Sequence, residues 1–123
     1  VNCKDAYDAD DMKVSLEGER LLHVSKDIPL DRVHGESIGM ILFRGEGPAL
    51  FRRGLENARS DRACNWRWFL SVIDQLAASG VVRICRTGDR AWCEIDYPAD
   101  LALAEQVVAE HFYPHETALF QPS

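Results

Sequence analysis

The sequence predicts an α/β domain, a mixed sheet with helices packed over it, and three observations carry that prediction. Residues 12–16 alternate apolar and polar, and after a turn at Gly18 the aliphatic run of residues 21–26 answers them, as the two strands of a β-hairpin do. Trp66, Phe69, Leu70, Ile73, Leu76 and Ala77 recur at the spacing of one helical face. Residues 90–96 read as a strand that passes at once into a helix, because Pro98 suits a first helical turn and cannot continue a central strand. At 123 residues the chain is expected to form one domain.

Taken in order, residues 1–12 are acidic and without period, which predicts a partly ordered N-terminal segment ahead of a domain spanning residues 13–112. The hairpin follows, with Gly18 supplying a turn position of positive φ. Residues 27–34 form a polar connection. Residues 36–43 are nearly all apolar after Glu36, suiting a strand covered on both faces. Gly45 and Pro48 close it, without the spacing of a phosphate-binding loop. A short helix is expected over residues 49–58 despite Gly54. A second follows over residues 66–79, with Asn65 at its cap and Gly80 at its end. Residues 81–86 form a further strand, and residues 87–89 turn into the strand at 90–96. Leu101, Ala104, Val107, Val108 and Phe112 then mark the last helix. Residues 113–123 make a partly ordered tail. The expected element order is β-β-β-α-α-β-β-α.

Composition narrows the function classes. Apolar residues make up 46% and charged residues 28%, the proportions of a globular chain. The net charge of −6 argues against a general nucleic-acid binder, which carries a basic footprint. No apolar run is long enough to span a bilayer, and no leader precedes Val1. Cys3, Cys64, Cys85 and Cys93 are scattered without a C-x-x-C pair, so reduced thiols in a cytoplasm are expected. Cys85 and Cys93 fall in predicted strands, where free Cys usually serves as a small core residue.

The junction at residues 90–101 holds the most specific pattern. Asp96 stands where a strand ends and a helix begins, with Glu94 two positions earlier on the same strand face. Ligands of open α/β sheets collect at such junctions. A carboxylate there either caps the helix that follows or holds a hard cation against phosphate oxygens.

Trp92-Cys93-Glu94-Ile95-Asp96-Tyr97-Pro98-Ala99-Asp100-Leu101 resembles the W-x-E-I-D-(T/S)-P-x-D-L segment that closes the catalytic domain of small bacterial nucleotidyltransferases. The phosphocholine and phosphosugar cytidylyltransferases, of the GT-A-like superfamily, are the most similar group. The resemblance implies the C-terminal half of a Rossmann-like nucleotidyltransferase fold. It also implies transfer of CMP from CTP to phosphocholine or a sugar phosphate, with Mg2+ as cofactor and Asp96, helped by Glu94, as metal ligand. Tyr97 departs from the usual Thr or Ser, which removes a capping hydroxyl and asks Asp96 to cap as well as bind. The family's N-terminal half, with its Gly-rich loop and first metal-binding Asp, has no counterpart among these residues. Little turnover is therefore expected of the chain alone, and either that half or a second copy is an expected partner.

The same resemblance singles out Lys13 and Lys26 as groups assisting the acceptor phosphate, though strand lysines also serve as solvated edge guards. It makes Glu36 an acceptor contact and Gly39 the site of close approach, where an ordinary strand start with a bulge is the alternative. Trp68 lies off its helix's apolar stripe and is a candidate wall for a choline headgroup, since aromatic faces bind quaternary ammonium. His111 and His115 are four apart, but Pro114 between them breaks the helix that would align them. A non-catalytic interaction or dimerisation module is the competing reading.

Overall fold

The computed structural model describes residues 1–60 and 69–112. The chain divides into two compact units, Val1–Thr87 and Gly88–Ser123. Strands β1 (Lys13–Glu17), β2 (Arg20–Ser25) and β3 (Gly35–Glu36) form an antiparallel sheet in the order β2-β1-β3. Gly18, at φ 61°, makes the hairpin turn the sequence called for. Lys13 pairs with Ser25 and Glu17 with Arg20, and the register slips between Ser15 and Leu16. At that bulge the Leu16 N–H leaves the ladder and donates to His34 Nδ1 at 3.2 Å.

Helices α1 (Gly47–Ser60) and α2 (Phe69–Ala78) follow the sheet. Leu70, Ile73 and Ala77 of α2 are buried with Val14, Leu16, Leu21 and Val24 of the hairpin, forming the hydrophobic core. This is the helical face read from the sequence, except that Phe69 is exposed and Val72 is buried. Val72 packs toward α1, where a Cβ on Gly54 would collide with it. Gly54, unfavourable to the helix alone, therefore allows the two helices to approach. Asp74 of α2 covers the edge of β2 by accepting the Val24 N–H at 2.8 Å.

Three expected strands are absent among the described residues. Residues 38–43 follow β3 without pairing, and the sheet is antiparallel rather than mixed. A strand covered on both faces still needs a ladder partner, and this segment has none among the described residues. Residues 81–86 form only an isolated bridge, Arg20 to Arg83, flanked by Leu21 N–H to Val82 O (3.1 Å) and Ile84 N–H to Glu19 O (2.8 Å). Cys85 is accordingly exposed, not core.

The first residues pair with the rest of this unit. Asn2 exchanges both backbone hydrogen bonds with Glu36, at 3.0 and 2.8 Å. Val1 accepts from Thr87 N–H at 2.9 Å, and its nitrogen donates to the Cys85 carbonyl at 2.6 Å. Backbone pairing thus runs from β2 through β1 and β3 to residues 1–2, on to residues 82–87, and back to β2. The outer edges of β2 and β3 are therefore not the open edges a lone half-fold would present. Gly35 is the glycine that close approach demands, since a Cβ there would strike Val1 and the Asn2 carbonyl.

In the second unit, residues 90–96 form no strand, and helix α3 (Asp100–His111) follows Pro98. Cys93 is half-buried. Ala104 alone of its expected apolar face is buried, while Leu101, Val108 and Phe112 are exposed. No helix among the described residues is long and apolar enough to cross a membrane.

Candidate functional site

Lys13, Lys26 and Glu36 converge at one end of the sheet because β1 lies between β2 and β3. Lys13 stands opposite Glu36 on one side and Ser25 on the other, which buries it to 4% exposure. Its ammonium reaches across the hairpin end to the Lys26 carbonyl at 2.9 Å. Lys26 itself is exposed and extends its ammonium to Asp10 at 3.5 Å.

Glu36, 6% exposed, meets two partners from the N-terminal segment. Its Oε1 accepts from Asn2 Nδ2 at 2.9 Å and its Oε2 pairs with Lys4 Nζ at 2.8 Å. Lys4 pairs equally closely with Asp11. Asp11 in turn accepts the Asp8 N–H at 2.8 Å, while Asp8 accepts the N–H groups of Asp10 and Asp11. Burial works against the Lys4 charge, but hydrogen bonds to Asp11 and Glu36 and their negative charges outweigh it, holding its pKa at about 12. Burial likewise opposes the Asp11 charge, yet the Lys4 and Asp8 hydrogen bonds and the Lys4 charge hold its pKa below the usual carboxylate value. Sequence reasoning missed Lys4 and Asp11. The signal was present in Asp8, Asp10 and Asp11, whose short carboxylates commonly build turns on neighbouring N–H groups.

Gly39 adopts φ 74° with open space around its α-carbon. That positive φ favours glycine there. Trp68 lies outside the described residues, as do Trp66, Asn65 and residues 113–123.

At the second unit's junction, Ala99 stands at the N-cap of α3 with no side-chain hydrogen bond, so Asp96 does not cap the helix as expected, and the Asp100 carboxylate turns back to the chain ahead of it. Its Oδ2 accepts the N–H groups of Asp96 (3.1 Å) and Tyr97 (2.8 Å). This reaches back over the start of α3, with the Asp100 N–H held by the Tyr97 carbonyl at 3.0 Å. The exposed carboxylates of Asp96 and Glu94 make no hydrogen bond or ion pair among the described residues. No strand places them on one face. They offer hard oxygen donors of the kind magnesium accepts, which commonly takes one or two carboxylates and completes its shell with water and phosphate. Among the described residues, no three His, Cys, Asp or Glu groups gather into a cradle for a metal ion.

An apolar cavity of about 600 Å³ opens in the first unit. Val14, Leu21, Leu70 and Ile73 contribute to its lining from the core, and residues 40–43 run along it. The end of that segment is pinned by Phe43, whose ring lies 4.7 Å from Phe51 of α1 at a 30° tilt. Met40 and Leu42 are 83% and 74% exposed.

No family model, curated protein or solved structure matches this chain.

Proposed function

We propose that the chain supplies the acceptor side and the closing metal carboxylate of a cytidylyltransferase-like nucleotidyltransferase, working with a nucleotide-binding half that lies outside these residues. One observation carries this reading. The Asp96 carboxylate caps no helix N–H and stands exposed just ahead of α3, unengaged among the described residues. A residue needed only as a cap would be engaged with the backbone N–H groups.

In this reading Asp96, assisted by Glu94, holds Mg2+ against the nucleotide phosphates. The ion offsets charge as a phosphate monoester attacks the α-phosphorus of CTP in line and pyrophosphate leaves. Lys26, the more accessible of the two strand lysines, meets the acceptor phosphate as a point charge. Lys13, donating to the Lys26 carbonyl, fixes the hairpin end from which Lys26 projects. Glu36 orients Lys4, whose charge adds to the same end of the sheet.

Calorimetric titration of the chain with CTP and magnesium, beside Asp96→Ala, tests the reading. Magnesium-dependent heat that the substitution abolishes is expected. A folded chain giving no heat, or heat unchanged in the variant, overturns it.

A second reading, a non-catalytic interaction module, is favoured by a different observation. Residues 40–43 are apolar, run beside an open cavity, and make no backbone hydrogen bond among the described residues.

A further inference from the structure

We infer that the apolar cavity of the first unit is a binding site for a long-chain aliphatic carboxylate, with the chain in the cavity and the head at its charged rim. The whole lining comes from residues 1–85, so the site is independent of Asp96 and of the nucleotide reading.

The walls select the body of the ligand. Val14, Leu21 and Val24 line the cavity from the hairpin, and Leu70, Ile73 and Leu76 line it from α2. None of these side chains carries a hydrogen-bonding group, so a polar body lying against them would lose its water contacts without replacement. Met40 and Leu42 also line the cavity, yet are 83% and 74% exposed. A bound aliphatic chain takes part of that apolar surface out of water. At about 600 Å³ the space is of the size that receives small organic ligands. An apolar cavity of about 150 Å³ holds a six-carbon ring, so by proportion this one holds a chain on the order of twenty carbons.

The rim selects the head group. The charged side chains of the lining are Arg44, Arg83 and Glu46. All three are exposed, and none makes an ion pair or side-chain hydrogen bond among the described residues. Together they leave one positive charge, on a chain whose net charge is −6. A single carboxylate balances it, and a guanidinium meets a carboxylate through two parallel hydrogen bonds. Drawn in among the apolar walls, the same carboxylate would have no partner for its charge. The head therefore stays at the rim and directs the chain inward.

Titration of the full chain with dodecanoate and hexadecanoate, each below its micelle-forming concentration, tests this by displacement of a fluorescent fatty acid. Saturable one-to-one binding is expected. A fully buried methylene adds about fourfold in affinity, so hexadecanoate, four methylenes longer, should bind at least tenfold more tightly. Dodecanol, of the same length but uncharged, should bind about fivefold more weakly than dodecanoate, the scale of an exposed ion pair. Replacing both arginines, Arg44→Gln with Arg83→Gln, should weaken dodecanoate to the same extent and leave dodecanol unmoved. Leu50→Trp, which adds bulk to the cavity wall at a half-buried position, should weaken both ligands. A folded chain that shows no saturable binding overturns the inference. Dodecanol binding as tightly as dodecanoate, or dodecanoate indifferent to loss of both arginines, overturns the carboxylate and the inference with it. Binding unmoved by Leu50→Trp puts the chain outside the cavity and is equally fatal. Binding that comes with loss of the circular dichroism signal is unfolding by a surfactant and also overturns it. None of these outcomes bears on the magnesium and CTP titration, which reads Asp96.

Discussion

At the residue scale, the chain's chemistry separates into groups spent on the fold and groups left available. Lys13 and Glu36 belong to the first kind, each buried with its polar atoms engaged. Asp96 and Glu94 belong to the second. The network through Lys4 also fixes how stability varies with pH. The Asp11 pKa is lower folded than unfolded, so its contribution is present above about pH 3.9 and is lost as pH falls through the folded value. The Lys4 pKa is raised, so its contribution is full below about pH 10.4 and fades as pH rises toward about 12. Asp11→Asn removes the charged acceptor of Lys4 while keeping a side-chain oxygen for the Asp8 turn. Urea unfolding should show a loss of about 1–3 kcal/mol at neutral pH, shrinking as the pH is lowered below 4. An unchanged acid limb would show that the pair contributes nothing.

Elements obey their neighbours as much as their own sequence. Gly54→Ala would raise helix propensity by roughly 1 kcal/mol, yet its methyl would meet Val72 across the α1–α2 contact. Overpacking of about 1–3 kcal/mol outweighs that gain, so a lower urea midpoint is expected. A higher midpoint would mean the helices part without cost. The same dependence explains what was readable in the sequence. The hairpin, its Gly18 turn, α1, the described part of α2, and α3 after Pro98 were legible because local periodicity and turn chemistry define them. The segment of residues 38–43 has strand composition but no pairing partner, and composition cannot reveal whether a partner is in reach. Residues 81–86 and 90–96 were overread for the same reason. At the site, Asp96 was legible as a junction carboxylate, but that it leaves α3 without a side-chain cap depends on how the chain turns at Tyr97 and Pro98. The engagement of Lys13 and Glu36 depended on pairings tens of residues apart, which no local spacing encodes.

At the scale of the whole molecule, the two units differ in how they are held. Val1–Thr87 has a sheet, two helices and a hydrophobic core of its own. A chain ending at Thr87 should therefore keep a cooperative urea transition followed by near-ultraviolet circular dichroism. Its loss would show that residues beyond 87 complete the core. The circuit of backbone pairing within this unit also has a consequence for biosynthesis. Val1 and Asn2 are held on one side by Glu36 and on the other by Cys85 and Thr87. On the ribosome, the hairpin can form as soon as it emerges, but the pairing of Val1 with Cys85 and Thr87 must wait for residues translated more than eighty positions later. Such distant contacts make folding slow, because the long intervening loop must close first. Until Thr87 clears the exit tunnel, residues 1–2 have only their connection to Glu36, and the nascent chain is then most open to pairing with the wrong strand.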